Sequence, residues 1–260
     1  MPEISKIIDI VKKASELMID NITIEQKGNE SNLVTSADIN VQHYLEEHLL
    51  KLLPGSTFLG EEDEVTEIGT GDMWVVDPID GTANFIRGLK ASVISVGLVR
   101  EGKPYLGVIY DPYKEEIFYA ERGKGAFVNG KPMRVSENDF KHAILCTAAS
   151  LYNKDLAMPC FQVMQEVYMQ ADDFRRFGSA ANELAYLAAG RIELFFEMRL
   201  FPWDMAAGVV MIEEAGGYVE ILHEKELPYD RPAGIIAANS KQNFQKLREI
   251  VYRQVPEKLY

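Results

Sequence analysis

Two aspartates lie three residues apart in a segment whose residue types could bind a metal and a phosphate together. Asp77 follows an apolar run that predicts a strand, and Pro78 is expected to end that strand before Asp80. Gly81 and Thr82 then predict the start of a helical turn, where unsatisfied backbone N–H groups favour an anion. Carboxylates beside an anion site require a cation between them, and an all-oxygen ligand set favours a hard divalent ion. The segment therefore predicts a metal-bridged phosphate site.

The same acidic residues have simpler interpretations. Asp-Pro and Asp-Gly pairs are common turn formers, so residues 77–81 could form a loop with no chemistry. Asp38 and Asp204 each lie at the start of a predicted helix. In the simpler interpretation, Asp38 does no more than complement the helix dipole, and Asp204 is no more than an N-cap. Alternatively, Asp38 takes part in catalysis and Asp204 points outward to a ligand. Glu61 follows a short predicted strand and is either a metal ligand or, like the three acids after it, part of a solvated loop.

The composition is that of a globular protein. The chain has 260 residues, 47% of them hydrophobic, and a formal net charge of −13, which argues against nucleic-acid or anionic-membrane partners. Cys146 and Cys160 lack Cys or His neighbours at zinc-ligand spacing, and Cys146 is expected in a buried strand. The sequence shows neither a signal-peptide pattern nor an apolar run of membrane-spanning length, so we expect a cytoplasmic protein.

Hydrophobic periodicity predicts an N-terminal half with two helices and an antiparallel sheet. The helices cover residues 3–20 and 36–53, and the polar loop between them (21–34) carries Lys27. From about residue 140, short strands alternate with helices, which predicts a mostly parallel or mixed sheet. We therefore expect a single domain over 1–260, with subdomains of about 1–140 and 141–260.

Three motifs occur together in this chain and are more specific than any of them alone. They are Gly-Glu-Glu at 60–62, Trp-Val-Val-Asp-Pro-Ile-Asp-Gly-Thr-Ala-Asn-Phe at 74–85 and Trp-Asp-Met-Ala-Ala-Gly at 203–208. In this order the motifs resemble the inositol monophosphatase family, part of the lithium-sensitive, Mg²⁺-dependent sugar-phosphatase superfamily. The resemblance covers nearly the whole chain and favours the metal-site interpretation over the turn and the cap. It implies an α/β (α+β) protein with a layered α-β-α-β-α fold, usually assembled as a homodimer.

The resemblance also implies the metal ligands. One Mg²⁺ would be held by Glu61, Asp77 and the carbonyl group of Ile79, and a second by Asp77, Asp80 and Asp204. A third, more weakly bound ion near Glu61 is often proposed in the family. Glu61 is therefore expected to be a catalytic residue as well as a metal ligand.

Further roles follow from the same resemblance. Thr82 and Asp38 would orient and deprotonate the attacking water, and the N–H groups of Gly81 and Thr82 would hold the phosphate. Lys27 matches a basic residue on a loop over the site. The positions expected to contact the sugar or inositol hydroxyls are Gly178, Ser179, Ala180, Glu197 and also Asp204.

The expected activity is Mg²⁺-dependent hydrolysis of a phosphate monoester, with inositol 1-phosphate as the leading substrate. Paired ions about 3.5–4 Å apart can activate water and stabilise the leaving oxygen, which requires no catalytic His or Cys. Glu197, seven residues before Asp204, favours the inositol branch, whereas the bulky residues 199–202 leave the ring specificity open. The alternatives are the same chemistry on NADP(H), fructose 1,6-bisphosphate or 3′-phosphoadenosine 5′-phosphate, or a regulatory binding protein.

Overall fold

Helices and sheets alternate in layers through this molecule. The structure, a computed structural model, describes residues 2–18, 23–26, 33–63, 71–149 and 153–255. The helices of these ranges are α1 (Ile4–Ser15), α2 (Ser36–Leu52), α3 (Thr82–Ile86), α4 (Ala157–Tyr168), α5 (Ala180–Ala188), α6 (Pro202–Glu214) and α7 (Lys241–Gln254). The strands of these ranges are β1 (Ile24–Gln26), β2 (Leu33–Thr35), β3 (Thr57–Gly60), β4 (Met73–Asp80), β5 (Val93–Arg100), β6 (Lys103–Asp111), β7 (Glu116–Glu121), β8 (Gly125–Val128), β9 (Lys131–Pro132), β10 (Ile144–Thr147), β11 (Asp173–Arg175), β12 (Leu194–Leu200), β13 (Tyr218–Ile221) and β14 (Ala233–Ala238).

The first sheet has the strand order β3-β4-β5-β6-β7-β8-β9. Its strands are antiparallel as predicted, except that the edge strand β3 runs parallel to β4. Helices α1 and α2 cover one face of this sheet. In α1 the residues Ile7, Val11 and Ala14 recur at helical spacing and are all buried, so the amphipathic pattern of the sequence explains how the helix packs.

The second sheet has the order β11-β10-β12-β14-β13 and is mixed, as predicted. Strand β10 is parallel to β11 and β12, whereas β14 is antiparallel to both of its neighbours. Helices α4 and α7 cover the outer face of this sheet, where they form one hydrophobic core with apolar residues of β10, β12 and β14. Cys146 lies fully buried in β10, which confirms its predicted place in a buried strand.

Helices α5 and α6 lie between the first and second sheets. Helix α6 packs against β5 and β6 on one side and against β13 on the other, and α5 packs along α6 and against β12. Gly97 and Gly107 face each other across β5 and β6 where α6 approaches most closely. A Cβ atom at Gly107 would lie 2.5 Å from the carbonyl oxygen of Ala207, so the close approach requires glycine there. The order of layers is α-β-α-β-α, which confirms the expected architecture.

The sequence-based boundaries differ from the structure in several places. Pro78 does not end its strand, because β4 continues to Asp80. The pairing of β4 with β5 shifts register between Asp77 and Asp80, and a proline fits such an irregularity because it has no N–H to pair. The antiparallel pair β1 and β2 lies at residues 24–26 and 33–35, so it falls almost wholly within the region 21–34 that was predicted as a loop. The edge strand β13 was not predicted; it follows directly on the Gly216-Gly217 end of α6 and pairs with β14.

The connection between the sheets runs from the end of β9 at Pro132 to the start of β10 at Ile144. A subdivision of one domain near residue 140 stays a prediction. Among the described helices, none has the length and apolar character that crossing a membrane would require.

Candidate active site

An irregularity in β4 brings Asp77 and Asp80 to the same place. Residues three apart on a regular strand point to opposite faces of the sheet. The register shift between these two residues removes that constraint, and oxygen atoms of both carboxylates lie within 4.8 Å of each other. The N–H of Ile79 donates to Asp77 Oδ1 at 3.0 Å, which fixes the orientation of this carboxylate.

Asp204 joins these aspartates from a distant part of the sequence. It is the third residue of α6, and its Oδ2 accepts a hydrogen bond of 2.7 Å from the N–H of Phe201. Asp204 is therefore not the N-cap itself, which is Phe201, whereas its predicted direction toward a ligand stays a prediction for this half-buried residue. It lies within 4.8 Å of both other aspartates, carboxylate oxygen to carboxylate oxygen. We refer to Asp77, Asp80 and Asp204 as the acidic cluster.

Burial and mutual repulsion both raise the pKa values of Asp77 and Asp204 in the acidic cluster, and burial contributes most. Burial raises the pKa of Asp77 well above its ordinary value, and the charges of Glu61, Asp80 and Asp204 raise it further. Burial likewise raises the pKa of Asp204, followed by the charges of Asp80 and Glu61. Glu61 thus acts on the same site from the turn after β3. A set of converging carboxylate oxygens with mutual repulsion fits a hard divalent cation, since such an ion would neutralise the charges it binds.

Asp80 is anchored by the start of α5. Its Oδ2 accepts hydrogen bonds of 2.7 Å from the Ser179 hydroxyl and from the N–H of Ala181. Burial raises the pKa of Asp80, and the hydrogen bond from Ser179 opposes that shift. The Ser179 side chain therefore orients Asp80, a contact that the sequence did not predict.

The turn at Gly81 packs closely against the turn at Gly178. Gly81 has φ of 90° and precedes α3, which begins at Thr82 as predicted. A Cβ at Gly81 would lie 3.0 Å from the carbonyl oxygen of Gly178. The side-chain amide of Asn84 donates to the carbonyl oxygen of Phe177 at 2.7 Å. The proposed phosphate-binding and hydroxyl-binding segments are thus adjacent.

Asp38 and Thr82 form a pair at the start of α2. The Thr82 hydroxyl lies 3.3 Å from Asp38 Oδ1 and 3.1 Å from the carbonyl oxygen of Ile79. One hydroxyl carries one proton, so Thr82 donates to only one of these acceptors at a time. Asp38 Oδ2 accepts from the N–H and the hydroxyl of Thr35, at 2.8 and 2.6 Å, which completes a capping box. Asp38 therefore caps its helix and contacts Thr82, so the two interpretations of this residue are compatible.

Two polar residues near the site escaped the sequence analysis. Gln42 is buried on α2, and its Oε1 accepts from the N–H of Glu62 at 2.9 Å. Glu183 is buried on α5, and its Oε1 accepts from the N–H groups of Phe177 and Gly178 at 2.6 and 3.0 Å. Each is a polar residue on the apolar face of a helix, and that pattern is the only signal the sequence offers for them.

The remaining predicted site residues lie around the same position or outside the described ranges. Glu197 lies on β12, and its pKa is raised well above the ordinary value by burial and by the charges of Glu183 and Asp204. Gly178 has φ of 77°, and Ala180 opens α5. Lys27 lies outside the residues that the structure describes.

Comparison with known proteins decides the family. The model of the inositol monophosphatase family matches residues 2–255. The chain belongs to the inositol monophosphatase family. Members of this family are phosphatases that hydrolyse phosphate monoesters.

The proteins that this chain resembles include both inositol-1-monophosphatases and Nus factors. An inositol-1-monophosphatase of Rhizobium meliloti is 35% identical over 242 residues, covering 92% of this chain and 90% of the relative. Nus factor SuhB of Escherichia coli is 36% identical over 226 residues, covering 84% of each. A crystal structure described as IMPase/NADP phosphatase complexed with Mg²⁺ and phosphate is 26% identical with a TM-score of 0.83, covering 95% of this chain and 92% of that one.

Proposed function

We propose that this phosphatase depends on Mg²⁺ and acts preferentially on an inositol monophosphate. The observation that carries the proposal is the acidic cluster, whose oxygen atoms converge within 4.8 Å of one another in a member of the inositol monophosphatase family. The related structure with Mg²⁺ and phosphate supports the choice of metal.

The acidic cluster and its neighbours would hold two to three ions. Asp77, Asp80 and Asp204 would bind one ion, and Glu61, Asp77 and the Ile79 carbonyl another. Bound Mg²⁺ would lower the pKa of the attacking water and stabilise the charge on the leaving oxygen. Hydrolysis of phosphate monoesters is extremely slow without a catalyst, so the enzyme must lower the activation barrier by a large amount. Both effects of the bound ions would contribute to that reduction. Inhibition by Li⁺ is expected from the resemblance to the superfamily.

Asp38 and Thr82 would direct the proton of the water molecule. The Thr82 hydroxyl would accept a hydrogen bond from the water while it donates to Asp38 Oδ1, at the observed 3.3 Å. Burial raises the pKa of Asp38, which makes its carboxylate a better proton acceptor near neutral pH. Hydrogen bonds from Thr35 keep Asp38 oriented while it does this.

The other proposed residues would bind the substrate on either side of the reacting phosphorus. The N–H groups of Gly81 and Thr82 would hold phosphate oxygens. Glu197, Asp204 and residues 178–180 would contact the ring hydroxyls, and Lys27 would lie on the loop over the site. Carboxylates at the hydroxyl end favour a polyol over a second phosphate, because a second phosphate would be repelled there.

Two observations keep other functions in view. The related IMPase/NADP phosphatase structure suggests a broader range of phosphate esters. The similarity to Nus factor SuhB suggests a regulatory binding role. In the latter case we expect the biological role to survive Asp80→Asn although hydrolysis is lost.

A homodimer is also part of the proposal. Apolar side chains are exposed along α4 and around β11. Monomeric soluble proteins rarely expose large apolar patches, and such patches often mark interfaces with other proteins. The side chains of this surface, which we call the α4 surface, are Met158, Phe161, Tyr168, Met169 and Phe174. A second copy is the occupant that the family resemblance predicts.

The deciding experiment is phosphate release from myo-inositol 1-phosphate, NADP and fructose 1,6-bisphosphate, each with and without Mg²⁺. We expect Mg²⁺-dependent turnover that is fastest on the inositol ester. Faster turnover of another ester would make that ester the proposed substrate and would leave the proposed hydrolytic mechanism unchanged. Absence of turnover on all three, with Mg²⁺ bound, would contradict the enzymatic proposal and favour the binding role.

A further inference from the structure

Gln42 lies on the same helix as Asp38 and one turn further along it. Residues four apart share a helix face, so both side chains point from α2 toward the strands of the site. Gln42 is only 1% exposed, and burying a primary amide is costly unless its polar atoms are bonded. Its Oε1 accepts the N–H of Glu62, 20 residues away in the sequence, at 2.9 Å.

The same amide also lies against Gly60. A Cβ at Gly60 would lie 2.3 Å from Gln42 Oε1 and 2.8 Å from Gln42 Nε2. Glycine is therefore required at position 60 if the Gln42 side chain is to keep its place. Gln42 thus contacts the residues on both sides of Glu61 without being next to either of them in the sequence.

The opposite side of this turn is fixed by β4. The N–H of Glu61 donates to the carbonyl oxygen of Val76 at 3.2 Å, and Val76 precedes Asp77. The backbone of Glu61 is thereby held between α2 and the strand that supplies Asp77 and Asp80. Glu61 needs such support because its carboxylate faces other carboxylates, whose repulsion would otherwise displace a residue on a turn.

We propose that Gln42 is a positioning residue that holds the Gly60–Glu62 turn so that Glu61 can bind the metal. The inference rests on the proposed Mg²⁺-dependent function and deepens it. A neutral amide suits this task, since it supplies an acceptor to Glu62 without adding a further negative charge to the site. Helix α2 then connects Glu61 with Asp38, the residue proposed to receive the proton.

The test compares Mg²⁺ binding, measured by calorimetry without substrate, in three variants. Gln42→Leu removes the acceptor with little change in volume, and we expect Mg²⁺ affinity to fall by about 10- to 100-fold. Gln42→Glu keeps an acceptor at the same place, so its Mg²⁺ affinity should exceed that of Gln42→Leu, although the added charge means that it need not equal that of the wild type. Val41→Ala weakens the packing of α2 without changing the turn, and its Mg²⁺ affinity should remain that of the wild type.

A double-mutant cycle separates positioning from a general loss of stability. In a Glu61→Gln background, Gln42→Leu should cause little further loss of Mg²⁺ affinity, because its effect acts through Glu61. Equal losses in both backgrounds, or an unchanged affinity in Gln42→Leu, would overturn the proposal. If Gln42→Leu does not fold, Gly60→Ala tests the same contact, since its Cβ must displace the amide and should lower Mg²⁺ affinity in the same way.

The wild type distinguishes failure of this inference from failure of the proposed function. A wild-type protein that neither binds Mg²⁺ nor releases phosphate would contradict the function itself. If the wild type does both and Gln42→Leu binds Mg²⁺ with the same affinity as the wild type, only the role of Gln42 is contradicted.

Discussion

Asp77 is buried and faces the charges of Glu61, Asp80 and Asp204, all of which raise its pKa. Asp77→Asn should lower phosphate release by more than about 100-fold, since loss of a residue that merely supports a ligand already costs about 10- to 100-fold. The melting temperature of the metal-free variant should equal or exceed that of the wild type, because a repulsive charge is removed. Phosphate release and thermal unfolding in EDTA measure the two effects.

Asp9→Asn is the control for Asp77→Asn, because it makes the same exchange at an exposed position of α1. It should leave both phosphate release and the melting temperature unchanged. Near-normal turnover in Asp77→Asn would refute its assignment as a metal ligand.

Glu183 should make stability depend on pH. Burial raises its pKa to about 7, against the hydrogen bonds from Phe177 and Gly178, whereas the unfolded chain titrates near 4.5. Between these values only the folded protein retains the proton, so this contribution to stability falls as pH rises and is lost above about pH 7. Glu183→Gln keeps the Oε1 acceptor and removes the titration. At pH 8 the metal-free variant should be more stable than the wild type by on the order of 1–3 kcal/mol.

Urea unfolding in EDTA at pH 5 and pH 8 measures the effect of Glu183→Gln. The difference between the variant and the wild type should be small at pH 5 and appear at pH 8. Glu249→Gln, at an exposed position of α7, removes the same charge and should follow the wild type at both values. Parallel curves for Glu183→Gln and the wild type would exclude Glu183 as the source.

At the residue scale, sequence reasoning singled out residues that the structure brings together wherever those residues leave a local pattern. Asp77 and Asp80 were found because they flank a proline and precede a helix start, and Asp204 because of its own motif. Gln42 was missed because its partner is the backbone N–H of a turn 20 residues away. Glu183 was missed because its partners, six and five residues before it, are backbone N–H groups, which leave no pattern of side-chain types. Only the folded chain brings a buried amide on α2 to residue 62.

At the scale of elements, the position of Asp204 depends on how closely α6 approaches the first sheet. Gly107→Ala would place a Cβ 2.5 Å from the backbone oxygen of Ala207, and backbone cannot yield as a flexible side chain does. We expect a loss of about 1–3 kcal/mol in the free energy of unfolding. We also expect weaker Mg²⁺ binding, because the start of α6 moves away from β4. Chemical denaturation and calorimetry measure these changes.

Gly71→Ala is the control for Gly107→Ala, since a Cβ at Gly71 meets no atom within 4 Å. Its stability and Mg²⁺ affinity should match the wild type. A Gly107→Ala protein of unchanged stability would show that α6 can shift at no cost.

The order and types of the longer elements followed from hydrophobic periodicity, since α1, α2, α6 and α7 and the strands β5 to β7 are each long enough to show it. The continuation of β4 through Pro78 could not be predicted, because the irregularity exists only in the pairing with β5. Strand β13 was missed because it is short and gains its pairing from β14, which follows it in the sequence. Pairing between elements is a property of the fold that local patterns do not contain.

At the scale of the whole molecule, the α4 surface tests the proposed homodimer. Phe161 is 50% exposed there, and Phe161→Glu should shift the protein from dimer to monomer by placing a charge in an apolar interface. Sedimentation velocity measures the shift. Ile24→Glu makes the same kind of exchange on β1, where Ile24 is 48% exposed, and should leave the dimer intact. A wild-type monomer at micromolar concentration would contradict the dimer.

The acidic cluster joins parts of the chain that fold into different layers, because Asp77 and Asp80 belong to the first sheet and Asp204 to a helix between the sheets. An ion bound there stabilises only the assembled molecule, by about 2.7 kcal/mol when its concentration is 100 times the dissociation constant. On the proposed Mg²⁺ dependence, a cell starved of magnesium would lose the activity of this protein and would also degrade the polypeptide faster, because its opened form is cleaved more often.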